Sequence, residues 1–200
     1  MNQSGRQCSI DPFQIDVDAY ELTLDSLYRT FGTAVSVKAF VSHTVVKIER
    51  SGLGIRCCTF ITRGLGCLPL FEKELNGWVS RELALTVSTG CTDDQAFEFV
   101  SAVADAMLDV QATPPDGACV EWSDALQVFG ERDRFRQIYF GTLFLENDKR
   151  QISMPGAPET VVLELVPLRG SEADALANSD DTVAAYFRRS RRNAADLSRR

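Results

Sequence analysis

The chain has 200 residues, of which 44% are hydrophobic and 24% charged, with a formal net charge of −7. That length and balance suit one packed domain and exclude a low-complexity or disordered chain. No apolar run approaches the roughly 20 residues of a membrane-spanning helix, and the polar start, Met1 to Asp11, lacks the apolar core of a secretion signal, so a cytoplasmic location is expected.

Residues 1–15 read as a lead-in ahead of the domain. Asp18 offers an N-cap with Glu21 three positions on, and Leu24, Leu27, Tyr28 and Phe31 follow at helical spacing up to Gly32. This predicts an amphipathic helix over 19–31. Val35, Val37, Ala39 and Val41 alternate with Ser36, Lys38, Phe40 and Ser42, a half-buried strand, and Thr44 to Arg50 is a second, rich in β-branched residues. Ser51 to Gly54 turns the chain into a third strand, Ile55 to Thr62. The run Thr59-Phe-Ile-Thr-Arg-Gly-Leu-Gly-Cys-Leu-Pro-Leu70 ends that strand in a Gly-x-Gly turn and a proline. Glu72 to Glu74 and Asn76-Gly77 mark an exposed turn, and the alternation from Val79 to Ser88 predicts a fourth strand.

Thr92 and Gln95 form a capping-box pattern, with Asp93 and Asp94 in the first turn. Phe97, Val100, Ala104, Met107 and Leu108 make one apolar stripe, which predicts a helix over 93–110 that stops before the Thr113–Gly117 loop. Residues 119–136 carry no clear period, although Trp122 and Phe129 are expected to pack, with a turn at Glu131–Arg134. Ile138 to Leu145 is apolar on both faces, so a central strand is expected, followed by a surface turn at Glu146–Arg150. Val161 to Val166 is a further strand, which Pro167 should end. Within it, alternation sets Glu164 opposite Leu163 and Leu165, on a face expected to meet solvent. Ser171–Ala177 and Thr182–Arg189 read as helices, after which the arginines should run out into solvent. Hairpin-length links among the early strands favour antiparallel pairing. The fold class expected is α+β: one domain, a mixed, largely antiparallel sheet with packed helices.

The last twenty residues hold six arginines against Asp181 and Asp196, a local charge of about +4, which leaves about −11 on residues 1–180. The acidic body argues against nucleic acid as a ligand and favours basic partners. The six cysteines, Cys8, Cys57, Cys58, Cys67, Cys91 and Cys119, are irregularly spaced with no Cys-x-x-Cys, and His43 is the sole histidine. Small buried hydrophobes are the expectation for them, not disulfides or metal ligands. Gly64-Leu-Gly66 lacks the following Lys and Ser/Thr of a phosphate loop. No cofactor or metal is expected.

The run Thr59 to Leu70, followed by Arg81-Glu-Leu-Ala-Leu-Thr-Val87, resembles the suppressor of fused-like domain family. Its members commonly carry a strand ending in Thr-x-Gly-Leu/Met-Ser, then a Glu-Leu-centred strand. A second block, Val161-Val-Leu-Glu-Leu-Val-Pro-Leu168 with Glu172 beyond it, is similar to the family's later strand, Pro and downstream Glu. The resemblance spans about residues 25–187, with one departure: Gly66 stands where Ser is usual. It implies an α+β domain over 16–187 and no established enzymatic activity; the Arg-rich tail over 188–200 lies beyond it. Animal members restrain a transcription factor of the Hedgehog pathway, and bacterial members are proposed as immunity proteins that neutralise a cognate toxin. This short acidic chain looks like the bacterial kind. The resemblance puts candidate partner-binding residues at Thr62, Arg63 and Gly64, at Glu72 and Glu74 in the next turn, and at Glu172. The expected function is therefore non-enzymatic binding of a protein, such as a basic toxin domain. The alternatives are a cysteine/histidine-dependent enzyme built on His43 with Cys58 or Cys67, or a regulatory module docking through its basic tail.

Overall fold

The computed structural model of the chain describes residues 20, 22, 24, 25, 28, 29, 32–50, 57–130, 134–141, 143, 151–152, 159–179 and 181–199. The expected lead-in, Cys8, the cap at Asp18 and Glu21, and the turns at 51–54, 131–133 and 146–150 lie outside these residues. The strands are β1 (Thr33–Ala39), β2 (Thr44–Arg50), β3 (Cys57–Arg63), β4 (Leu70–Glu72), β5 (Gly77–Val87), β6 (Cys119–Val120), β7 (Gln137–Gly141), β8 (Gln151–Ile152) and β9 (Thr160–Leu168). Residues 20, 22, 24, 25, 28 and 29 are helical and are called α1. Four further helices follow: α2 (Asp93–Val110), α3 (Ser123–Leu126), α4 (Gly170–Ala177) and α5 (Val183–Ser190).

The sheet order is β1-β2-β3-β5-β9-β7-β6, with β4 beside β5 and β8 beside β9. Every pairing is antiparallel except β5 with β9. The domain is thus α+β, with a mixed and mostly antiparallel sheet. Alternation divides each central strand between two cores. Phe60, Leu83, Leu85, Ile138, Phe140, Leu163 and Leu165 pack with α2 and α3 on one face. Ile61, Ala84 and Val162 pack with Tyr20, Leu24 and Tyr28 of α1 on the other. Further along that second face, Val166 and Leu168 meet Ala173, Val183 and Phe187 of α4 and α5. Helices therefore cover both faces of the sheet.

Several elements follow directly from the sequence. Helix α2 begins with the expected capping box, the Thr92 side chain accepting from Gln95 N while the Gln95 side chain accepts from Thr92 N. Its stripe of Phe97, Val100, Val103, Ala104 and Met107 is buried. Strand β2 has the expected bounds, and α4 and α5 fall where two helices are expected. Trp122 meets Phe140 edge to face, and Phe129 packs between Phe99 and Phe135. Among the described residues, no helix is long and apolar enough to cross a membrane.

Three expectations are corrected. Glu164 is 1% exposed, not on a solvent face, because its face of the central strand lies under helices. Its carboxylate accepts from Leu143 N at 2.6 Å. Strand β9 runs through Pro167, which pairs with Ile138 of β7. Past Glu164, β9 has no β5 neighbour, and the Pro167 carbonyl accepts from Arg199 Nη2 at 2.6 Å on that open edge. The N and O of one strand residue point to the same edge, so the N–H that proline lacks is missed by neither neighbouring strand.

The third correction concerns the arginine tail, which folds back. Ser88 N donates to Ala195 O at 2.8 Å, and Leu197 N donates to Thr89 O at 2.9 Å. These bonds lay residues 195–197 along the end of β5. Leu197 enters the core beneath α2, and Ala194 enters the core beneath α4 and α5. Arg199 is 6% exposed and uses all five guanidinium N–H groups: two on the Glu172 carboxylate and three on the carbonyls of Pro167, Ala194 and Asp196, the last of which accepts at 3.0 Å. The physical reason is a gap. Strands β5 and β9 part after Ala84 and Glu164, and the returning segment fills the opening. Arg188, Arg189 and Arg191 do remain exposed. Arg199→Ala is expected to lower stability by about 3–5 kcal/mol, because it strands a buried carboxylate. Urea denaturation measures this; a tail lying in solvent would give no change.

Candidate functional site

The site begins with an interruption in the sheet. Strand β5 pairs along one edge with β3 through residues 84–87 and with β4 through residues 77–79. Between β3 and β4 the chain leaves the ladder in the stretch 64–69, which includes a 3-10 turn, Leu65–Cys67. Backbone N–H groups there have no strand to bond, and a buried orphan donor costs about 1–3 kcal/mol. Glu82, on the facing part of β5, supplies the acceptors.

Glu82 is 0% exposed. Its Oε1 accepts from Gly64 N at 3.1 Å, Gly66 N at 3.0 Å and Tyr20 Oη at 2.6 Å, while Oε2 accepts from the Thr62 hydroxyl. The Thr62 hydroxyl in turn accepts from Leu83 N at 2.8 Å. Tyr28 donates to Thr62 O, and Ser80 donates to Gly66 O, both at 2.6 Å. Gly64 sits at φ 97°, a left-handed conformation that suits glycine. At Gly66 a Cβ would lie 1.9 Å from Tyr20 Oη, so the absent side chain makes room for the tyrosine. Burial pushes the Glu82 pKa up to about 7, with the bonds from Thr62, Tyr20, Gly66 and Gly64 pulling it down. Burial likewise raises Tyr20 and Tyr28 above the ordinary phenol value.

Of the residues singled out from sequence, the structure gathers Thr62 and Gly64 at this centre, with Arg63 beside them, paired to Asp25 at 3.5 Å. Thr62 is fully buried and so faces no partner. Glu72 is also buried, paired with Arg81, and Glu172 is buried under Arg199. Those two carboxylates are therefore structural and are not available at a surface. Glu74 alone of the three glutamates is exposed, in the β4–β5 turn. Sequence reasoning missed Glu82 and Tyr20. The available signal was a glutamate at the head of the apolar run Leu83-Ala-Leu85, in the strand after a Gly-rich turn whose backbone donors needed an acceptor.

Among the described residues, His43 and the thiols form no reactive pair. The His43 side chain is buried, stacked on Phe40 with ring centroids 5.5 Å apart. Its Nδ1 meets Ser42 Oγ at 2.9 Å and Asp105 Oδ1 at 4.0 Å, and Ser42 Oγ reaches Asp105 Oδ1 at 3.2 Å. A serine relay needs the acid and the hydroxyl on opposite ring nitrogens. Here both crowd Nδ1, so the three residues make a hydrogen-bonded cluster and no proton relay. Burial lowers the His43 pKa.

Cys57 is buried; Cys58, Cys67 and Cys91 are half-buried; Cys119 is exposed, and all five are free thiols. Burial pushes Cys58, Cys91 and Cys119 up, Cys91 to about 11, which is opposite to an activated nucleophile. Cys119 lines a groove of about 490 Å³ with Tyr139, Leu176 and Asp181. Among the described residues no cluster of His, Cys, Asp or Glu is arranged to hold a metal.

The fold and this site define an α+β domain whose buried carboxylates are engaged in its own architecture. No protein-family model, curated protein or solved structure matches the chain. Gly66→Ser is expected to drive its side chain into Tyr20 and Ser80 and to lower stability by about 1–3 kcal/mol. Chemical denaturation checks this; an unchanged midpoint would mean that Tyr20 does not occupy that space.

Proposed function

We propose that the chain is a non-enzymatic protein-binding domain that offers an acidic helix face to a basic partner. The observation that carries this is the outer stripe of α2. Asp94, Glu98, Asp105 and Asp109 are exposed and recur at spacings that put them on one side of the helix. The helix contains no Lys or Arg. Lys38 lies 3.6 Å from Asp94 and 3.7 Å from Glu98, and Lys47 bonds Asp93, so the neutralisation comes from β1 and β2 at one end only. Exposed carboxylates of this kind attract a basic surface and speed encounter with it.

The finer reading is an immunity protein that neutralises a basic toxin domain. Its support is the resemblance of the Thr59–Val87 and Val161–Glu172 stretches to the suppressor of fused-like family, in line with the acidic surface. The test is affinity capture from the cells that make the protein. The bait is either the native chain or Asp94→Asn/Glu98→Gln/Asp105→Asn/Asp109→Asn, and captured polypeptides are identified by mass and titrated. A basic polypeptide should bind the native chain at least tenfold more tightly than the variant, with affinity falling as salt rises. Equal binding to both baits would remove α2 from the reading, and no bound polypeptide would sink it. If the polypeptide is a toxin, co-expression of the native chain should restore growth.

A further inference from the structure

Glu82 receives donors from three parts of the fold. Tyr20 belongs to α1, Thr62 to β3, and Gly64 and Gly66 to the stretch that leaves the ladder. Strand β3 is tied to the sheet by its own backbone, and the stretch that leaves the ladder is held between the paired strands β3 and β4. Among the described residues, helix α1 meets the sheet through side chains: the Tyr20 and Tyr28 hydroxyls and an apolar face of Tyr20, Leu24 and Tyr28 over Ile48, Ile61 and Val162. It is also the element whose hydroxyl caps Glu82. Lifting it would admit water to a carboxylate that is otherwise sealed.

We propose that Glu82 couples the docking of α1 to pH, so that α1 lifts from the sheet more readily as the solution becomes alkaline. Burial sets the direction. With α1 docked, the carboxylate is dry, which favours its protonated form; with α1 lifted, it is hydrated and keeps the Thr62, Gly64 and Gly66 donors, which favour its ionised form. Burial raises the docked pKa to about 7 from the ordinary 4.5. A raised carboxyl pKa means that the docked state binds the proton more tightly. The stabilisation is therefore complete below about pH 4.5, is lost as pH rises toward 7, and changes little above that. Between pH 6 and pH 8 the lifted state gains about tenfold.

The groups facing Glu82 leave this direction intact. From α1 come Tyr20 and Tyr28, whose raised pKa values keep them neutral throughout, and Asp25, paired with Arg63 of β3. Cys67 packs beside the same cluster, and Glu164 lies on the same sheet face, in register with Ala84. His43, whose pKa burial lowers, lies against Asp105 of α2.

Amide hydrogen exchange on the full chain, corrected for intrinsic rates, tests the coupling. The Leu24 and Tyr28 amides of α1 should open at lower free energy than Val103 in α2. Their protection should fall about tenfold from pH 6 to pH 8, and this fall should vanish in Glu82→Gln. Should that variant not fold, Tyr20→Phe gives the second reading. It removes a donor that favours the ionised form, so the Glu82 carboxyl resonance and the Gly64 and Gly66 amide shifts should titrate at higher pH than in the native chain. The proposal is overturned if α1 opens only together with α2, if its protection is the same at both pH values, if Glu82→Gln keeps the pH dependence, or if the native Glu82 carboxyl titrates below pH 5.

Discussion

The sheet of this protein depends on a side chain standing in for a strand. Where the chain leaves the ladder between β3 and β4, the facing length of β5 has no strand neighbour on that edge, and the Glu82 carboxylate takes the donors that a strand would have taken. Hydrogen bonds to a charged group contribute about 1.5–3 kcal/mol each, while taking a carboxylate out of water costs several kcal/mol. Four donors against full burial leave the two effects close to balance, which is why the carboxyl is drawn toward neutrality and not far beyond it. Glu82 also decides what covers it. Gly66 leaves the space that Tyr20 fills, and so α1 is positioned by the same break in the ladder.

Two other buried carboxylates do a related job with arginine as partner. Glu72 and Arg81 join the two strands of the β4–β5 hairpin. Glu172 caps α4 by accepting from Arg169 N at 2.9 Å, and at the same time holds Arg199. Buried pairs of this kind add little net stability over apolar replacements, yet removing one partner is costly. In each case the residues joined come from different elements, so the pairs fix how those elements meet. Arg199 shows this most fully, since each of its donors reads a separate acceptor and its plane lies near the rings of Phe135 and Phe187.

What the sequence could and could not disclose follows from this division. Helix α2 was legible because its cap and stripe are local: Thr92, Gln95 and the apolar positions need no knowledge of the rest of the chain. Strand β2 was legible for the same reason. Alternation also sorted Glu164 and Glu82 onto the correct sides of their strands, but it cannot say whether that side meets water or a helix. Glu164 was therefore expected to face solvent, and Glu82 drew no notice, when α1, α4 and α5 lie over their face. The tail misled in a similar way. Six arginines in twenty residues read as a solvated end, because three of the five Arg199 bonds go to Pro167 and Glu172, which are distant in sequence. The candidate centre was half legible: Thr62 and Gly64 were singled out, while the glutamate that binds them was not.

This redistribution of charge bears on function. Taken as a string, the chain has an acidic body and a basic end, which could attract partners of either sign. Folding changes that balance. Arg81 and Arg199 are spent inside on Glu72 and Glu172, which removes equal charge of each sign from the surface. What folding leaves outside on α2 is a run of carboxylates with lysines at one end only. A surface of that sign acts at a distance of about 8–10 Å at moderate salt, far enough to orient an approaching basic protein before contact. The buried carboxylates cannot take part in such recognition, because each already has its donors. The acids that shape the fold and the acids that can meet a partner are thus different residues, and a substitution in one set should leave the work of the other largely intact.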